Sequence, residues 1–419
     1  VDTLKVRDAK DVEEVVRAAI ASEQPLEIIG HGGKRGIGHA MATNAVLDVS
    51  ALNAVTAYEP SELIITLQAG APLADVLALI DAKNQQFAFE PVNTAPLLGT
   101  PATGTIGGMI AAGLAGPRRI RAGGARDHLL GAHAVSGFGD SFKTGGKVVK
   151  NVTGYDLCKL LAGSWGTLSV MTEVTLKVMP KPEAERTLLL RGLDDAAANK
   201  AMTAALGSPF DVSAAAHLPK SAFRAGTEGL GDIAGQVEGK AEDKAEALTV
   251  LRLEGISASA AHRAGSLRQL LAPFGTATLI EDVASAALWS AIRDVLPFAA
   301  SGALGAWPVW RIVCPPASGA ALGTQLARET GGDVIYDWGG GLIWAALPPK
   351  PDAHAPAVRA HANAAGGHAT LIRATDDVRR EVDVFHPQAP GIAALSERVR
   401  ASFDPKIILN RGRLTRSAG

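Results

Sequence analysis

Cysteine is nearly absent: Cys158 and Cys314 are the only two in 419 residues. That count builds no disulfide framework and no cysteine-based zinc or iron–sulfur site. It suits a reducing, cytoplasmic compartment. Excess charge is lacking too. The formal net charge is −1 with no block of like charges, so nothing favours nucleic acid or another polyanion as a partner. No apolar run is long enough to span a bilayer; the most weakly polar stretch, 104–117, is short and rich in glycine. The opening residues carry Asp2, Lys5, Arg7, Asp8 and Asp11 with two glutamates, unlike a secretory leader. Direct membrane insertion is therefore not expected; a peripheral position at the inner membrane would come only through partners.

What is present is an ordinary globular chain. Hydrophobic residues make up 47% and charged residues 20%, enough apolar material for two or three packed domains. Val12, Val15, Val16, Ala19 and Ile20 recur at helical spacing. Strands are expected at 26–29, 45–49 and 63–67, and Pro72 opens a helix with Leu73, Val76, Leu77 and Ile80 on one face. A long strand pattern over 168–178 runs into Pro180 and Pro182, which mark a domain boundary. Beyond it the order strand, helix, strand, strand, helix, strand occurs twice. The first round has strands at 186–193, 211–218, 247–253 and 276–281, with helices at 194–206 and 257–272 and a charged excursion at 226–244. After a linking helix at 284–296, the second has strands at 308–313, 333–338, 341–347 and 368–373, with helices at 317–330 and 353–365. This is the βαββαβ rhythm of paired ferredoxin-like units. A last helix over 390–402 precedes Phe403, Asp404 and Pro405.

The strand at 26–29 runs straight into Gly30, His31, Gly32, Gly33, Lys34, Arg35, Gly36, Ile37 and Gly38. Such a backbone can aim successive N–H groups at one anion, a dinucleotide pyrophosphate above all, or it can be a plain surface turn. Counted from Gly30, the spacing Gly-x-Gly-x-x-Gly fails at Arg35, and a strand rather than a helix follows, so this is no Rossmann fingerprint. No Gly-Lys-Ser/Thr closes the loop, which excludes a Walker A site.

Three further motifs follow in order. The first is Gly104-Thr105-Ile106-Gly107-Gly108-Met109-Ile110-Ala111-Ala112-Gly113; the second is Ala125-Arg126-Asp127-His128-Leu129-Leu130-Gly131. The third pairs Asn151-Val152-Thr153-Gly154-Tyr155-Asp156 with Gly163-Ser164-Trp165-Gly166-Thr167-Leu168. Together with the glycine loop they resemble the FAD-binding domain of the vanillyl-alcohol oxidase superfamily, over roughly residues 1–180. Within it the whole chain is similar to the FAD-binding subunits of bacterial glycolate oxidases. Gly116-Pro117-Arg118-Arg119, Tyr336-Asp337-Trp338-Gly339-Gly340-Gly341 and the tail Phe403-Asp404-Pro405-Lys406-Ile407-Ile408-Leu409-Asn410-Arg411-Gly412-Arg413 carry that likeness. The family tail reads Asn-Pro-Gly-Arg, so Arg411 stands where a proline is usual.

The resemblance implies an α+β chain. A PCMH-type (p-cresol methylhydroxylase) FAD-binding domain of two α+β subdomains would span 1–182, and a cap of two ferredoxin-like units 183–400. A tail at 401–419 would return to the first domain. It implies that the amides of Gly30, Gly32, Gly33 and Gly36, with His31, Lys34 and Arg35 beside them, hold the pyrophosphate. A side chain at Gly33 would then block its approach. Thr105, Gly107 and Gly108 would lie along the flavin and ribityl chain, the backbone around Val170 would meet the adenine, and Asn410 would reach the isoalloxazine edge. Relatives that tether flavin through this loop use Gly-Gly-His, which here would place the tether at Lys34; lysine forms no such bond, so FAD is expected to be non-covalent.

The substrate side is thinner. Arg118 or Arg119 could clamp a carboxylate, or sit in a solvated turn or a partner-facing ion pair. Tyr155 could polarise a substrate hydroxyl or brace the cofactor loop, and Lys159 could face the ring or the solvent. His361 and His368 stand seven apart, as in metal-dependent 2-hydroxy-acid dehydrogenases of the superfamily, but no acidic residue lies between them, so no metal site is expected. The implied activity is oxidation of glycolate, a small 2-hydroxy acid, beside a larger FAD-dependent catalytic subunit and an iron–sulfur subunit. A self-contained FAD-dependent 2-hydroxy-acid or alcohol dehydrogenase, and a non-catalytic electron-relay or assembly subunit, remain as alternatives.

Overall fold

A computed structural model describes residues 2–146, 155–223 and 246–416. The stretch from Asn151 to Gly154 of the third motif and the charged excursion at 226–244 lie outside the described residues. The chain opens with strand Asp2–Lys5 and helix Ala9–Ser22, whose Asp8 side chain caps it by accepting from the amides of Lys10 and Asp11. Val12, Val16 and Ala19 form its buried face. Asp2–Lys5 and Leu26–Ile29 flank Ala45–Asp48 in a three-stranded parallel sheet. A second, antiparallel sheet follows in the order 55–59, 64–68, 169–177, 129–136, 141–145. Val135 and Val170 of the larger sheet pack into one core with Val16, Leu26, Leu47, Ile408 and Leu409, so the two layers and the tail are held by one apolar cluster.

The cap follows its expected rhythm, with one outcome the pattern could not reveal. Strands 184–191, 212–218, 248–255 and 278–281 take the order 4-1-3-2 of a ferredoxin-like unit, and 309–313, 333–337, 342–346 and 368–373 repeat it. The units do not stand apart: their second strands pair edge to edge at His217 and Tyr336, giving one eight-stranded antiparallel sheet. Pairing two edges removes two exposed rows of backbone donors and acceptors. A polar pin sits at the seam. Asp195 accepts from the Tyr336 hydroxyl at 2.5 Å and from Thr324 at 2.8 Å, and lies 3.3 Å from His217 Nε2.

One face of this sheet carries helices; the other meets the N-terminal domain. Ala214, Ala216, Val309, Ile335, Trp344 and Ile372 pack there with Ile37, Val92, Leu97, Ala112 and Leu114. Charge crosses the same boundary. Arg252, 1% exposed, donates to both carboxylate oxygens of Glu90 at 2.8 and 2.9 Å and stacks over Trp289. Arg118 joins from the N-terminal side, donating to Glu254 and lying 3.2 Å from Glu90 and 3.5 Å from Glu185. Three carboxylates thus face two guanidiniums. Burial, and then the like charge of Glu254, raises the Glu185 carboxyl, though Arg252 opposes this. Arg252 and Arg118 overcome burial at Glu254 and hold it at about 2. Among the described residues no helix is long and apolar enough to cross a membrane.

Removing Arg252 takes from buried Glu90 its two-pronged partner and leaves Arg118 to hold it. Arg252→Met is expected to destabilise the protein by about 3–5 kcal/mol at pH 7, the range for breaking a buried pair. The sign of the pH dependence follows. Glu254 and Glu90 have depressed carboxyls in the wild type, so their contribution is present above the unfolded carboxylate range and fades on acidification. In the variant Glu90, buried with one guanidinium fewer, takes up a proton more readily. The destabilisation measured by urea unfolding should therefore shrink from pH 7 to pH 5; an unchanged or larger difference at pH 5 would contradict this account.

Candidate functional site

Between the two sheets of the N-terminal domain lies an open cleft. Its wall includes Gly30, His31, Gly32, Gly33, Lys34 and Arg35 from the first loop, Thr105, Gly107 and Gly108 from the second motif, and Asn410 from the tail. A further recess on the same loop continues past Ser50, Thr100, Pro101 and Ala102. Residues some 380 positions apart in sequence are thereby joined: the Ile28 amide donates to Asn410 Oδ1 at 2.8 Å. Gly36 and the Val170 side chain are not in the wall. Val170 faces the core on the other side of its strand, and its neighbours Ser169 and Met171 face the cleft, as strand alternation requires.

The glycine loop is gripped from outside. Arg379 of the cap donates to the carbonyls of Arg35 at 3.0 Å and Gly38 at 2.8 Å, and Arg413 of the tail donates to Ile37 at 2.7 Å. Arg35 and Arg413 both reach Glu27. With these carbonyls answered on the outer side, the loop presents its inner side to the cleft. There Lys34 has no carboxylate partner among the described residues, and burial pulls its ammonium down to about 8. Ser169 Oγ and Thr100 Oγ1 are buried without a hydrogen-bond partner. An unanswered cation and two orphaned hydroxyls along one cleft call for a polar, anionic occupant.

The glycines divide by what a side chain would meet. At Gly33 a Cβ would stand 2.5 Å from the Ala102 carbonyl oxygen, so the residue is needed for loop-to-loop contact, a correction to the expectation that a side chain there would first block the ligand. At Gly107 it would meet Ala69 at 2.9 Å, where the Gly107 amide donates to Ala69 at 2.7 Å. Among the glycines of the cleft wall only Gly108 leaves ordinary room, its nearest atom being Thr105 Oγ1 at 3.4 Å, and so presents bare backbone to the cleft. Asn410 lines the cleft with its carboxamide engaged: the amide nitrogen donates to the Trp165 carbonyl at 2.7 Å while the oxygen accepts from the Ile28 amide, so it braces two wall segments. Arg411 takes the proline position by donating to the carbonyls of Ile407 and Lys406. The sequence reading missed Trp165, which lines the cleft at φ 54° and packs edge-on against Phe385 of the cap at 5.6 Å. A non-glycine residue in the left-handed region signals a constrained wall.

The three catalytic candidates separate. Arg118 is committed to Glu90, Glu185 and Glu254, neither a solvated turn nor a free clamp. Tyr155 is 92% exposed and outside the cleft wall. Arg119 is stacked on Trp338, its Cζ 4.7 Å from a ring centroid. Lys159 donates to the Arg126 carbonyl, and Cys158 is buried beside Thr144. His361 pairs with Glu329 at 2.7 Å, and among the described residues no three His, Cys, Asp or Glu side chains group as a metal site.

A model of the FAD binding domain family matches residues 3–145. The fold agrees: 4-ethylphenol oxidase from Gulosibacter chungangensis superposes with a TM-score of 0.69 at 14% identity, over 99% of this chain and 88% of that one. This is an FAD-binding flavoprotein of the PCMH type, with an α+β cap. More narrowly, the chain is 31% identical to glycolate oxidase subunit GlcE of Escherichia coli K12 over 403 residues, 96% of this chain and 95% of that one. It belongs to the GlcE family. Glycolate oxidase subunit GlcD of Bacillus subtilis is 33% identical over 184 residues, 43% of this chain and 38% of GlcD.

Gly108→Val is expected to leave folding intact and to lower FAD content sharply, because its side chain would enter the cleft rather than a neighbouring loop. Gly33→Val should instead lower the melting temperature even in protein stripped of flavin. Full FAD content in a folded Gly108→Val protein would remove that residue from the cofactor site.

Proposed function

We propose that this chain is the FAD-binding subunit of a glycolate-oxidising complex, supporting oxidation of glycolate, a short 2-hydroxy acid, to glyoxylate. The end-to-end likeness to GlcE carries the reading. The relatives' names, subunits GlcE and GlcD, speak for an assembly of several subunits. Its other members would be a larger FAD-dependent catalytic subunit and an iron–sulfur subunit. This chain's two cysteines are both buried and lie far apart in sequence, so electrons would leave through another protein. A cytoplasmic place beside the inner membrane, reached through those partners, fits.

In the cleft, Lys34 and the amides of residues 30–36 would hold the pyrophosphate, with His31 and Arg35 at the mouth. Thr105, Gly107 and Gly108 would run along the ribityl chain and ring, and the main chain at 169–171, around Val170, would meet the adenine. With lysine at the tether position the bound FAD would be non-covalent, and it would supply a hydride acceptor for the substrate α-carbon. Asn410 would position the wall against which the cofactor rests. Of the rival roles, relay or assembly gains over a self-contained dehydrogenase because Arg118 is engaged elsewhere and Tyr155 points to solvent.

Two measurements test these assignments. With a free-state pKa of about 8, Lys34 is charged below that pH and neutral above it. FAD affinity should fall as pH rises past 8, and Lys34→Met should weaken it by about tenfold or more at pH 7 and flatten the profile. A wild-type profile that stays flat from pH 7 to 9.5 would take Lys34 off the pyrophosphate. Dye-linked glycolate oxidation should be slow for the isolated chain and fast when it is co-expressed with both partners. Efficient turnover by the isolated chain would make it a complete dehydrogenase.

A further inference from the structure

The cap face that meets the FAD-binding domain contains a cation that forms no ion pair among the described residues. Along Val309–Val313, Val309 and Val313 pack into the interface while Trp310 and Ile312 join the core behind the sheet. Strand alternation therefore puts Arg311 on the interface side, with Trp344 and Thr370 as its neighbours in register. Four other arginines at this boundary are answered. Arg118 and Arg252 meet glutamates, Arg373 donates to carbonyls including Leu97 and Trp307, and Arg379 donates to Arg35 and Gly38. Arg311 forms no ion pair among the described residues. Burial, and then the repulsion of Arg119, lowers its pKa to about 10.

That second arginine comes from the other domain. The Cζ atoms of Arg119 and Arg311 stand 4.7 and 5.1 Å from ring centroids of the same indole, Trp338. The indole is fixed by donating to the Gly116 carbonyl at 3.0 Å, and its amide donates to Asp337 Oδ1 at 2.7 Å. Asp337 is the one carboxylate acting on Arg311, and burial pushes it up to about 7, so it answers the cation only in part. His368 lies within the field of both arginines; burial first, then Arg311 and Arg119, disfavours its charged form. Two guanidiniums brought to one aromatic plate from two domains, against a single carboxylate whose charged form burial disfavours, leave a surplus of positive charge.

We propose that Arg119 and Arg311 form a two-domain receptor for the carboxylate of a small organic acid, with Trp338 as its floor. The choice of a short 2-hydroxy or 2-keto acid rests on the function proposed above; the receptor itself rests on the unanswered charges. Planar guanidinium forks match a carboxylate, and a carboxylate set between them would relieve their mutual repulsion. The receptor also explains why adjacent arginines differ: Arg118 closes the domain boundary, and Arg119 is left for a ligand.

The test is calorimetric titration of the full chain with oxalate, which cannot give up a hydride, and with inorganic phosphate, after FAD content is read from the absorbance spectrum. Oxalate should bind more tightly than phosphate. Arg119→Gln and Arg311→Gln should each weaken it by about tenfold or more, the loss of a charge-assisted bond, at unchanged FAD content. Arg121→Gln, in a surface pair with Asp211, should match wild type. Since Arg311 is at a packed interface, Arg311→Lys, which keeps the charge without the fork, guards against misfolding, and exposed Arg119 gives an independent reading. Wild-type protein that binds no oxalate, binds phosphate more tightly, or keeps its oxalate affinity in Arg119→Gln would overturn the proposal. Protein lacking FAD that still binds oxalate through both arginines would sink the flavin site and uphold the receptor.

Discussion

Glu90 and Arg252 meet where neither charge could remain alone. Both are buried, one from each domain, and the two-pronged bond between them forms only when the cap is seated. An ion pair of this kind adds little net stability over an apolar contact, because desolvation offsets most of the attraction. What it adds is uniqueness of docking: a displaced cap would strand three carboxylates and two guanidiniums in a low-dielectric interior. The apolar interface supplies the attraction, and the charges select the register.

The cleft depends on that seating. Arg379 belongs to the cap, yet it holds the carbonyls of the glycine loop, and Phe385 of the cap packs against Trp165 in the cleft wall. From the other end the tail adds Asn410 and Arg413. A flexible, glycine-rich loop bears a large conformational entropy, and it is ordered here by guanidiniums from elements that come after the domain to which the loop belongs. The shape of the cleft and the docking of the cap are thus coupled through shared hydrogen bonds.

The functional division among neighbouring residues follows the same geometry. Arg118 and Arg119 are adjacent and chemically identical, but one closes a buried network and the other faces an indole with Arg311. Gly107 and Gly108 are likewise adjacent; one packs on Ala69 and the other opens to the cleft. In each pair a helical step of about 100° between neighbours turns one residue inward and the next aside.

Periodicity and glycine placement made much of the architecture legible. The doubled βαββαβ order, the amphipathic first helix and the loop after Leu26–Ile29 are local patterns, set by side-chain alternation and backbone freedom within a few residues. The four motifs marked the cofactor domain because a dinucleotide needs bare backbone at several points in a fixed order. Which glycine opens to the cleft, which arginine is free of the buried network, and the fusion of the two cap units at His217 and Tyr336 were decided by tertiary structure alone. Each depends on contacts between residues more than a hundred positions apart, such as Asn410 with Ile28. No local pattern encodes a partner that the chain meets only after it has folded.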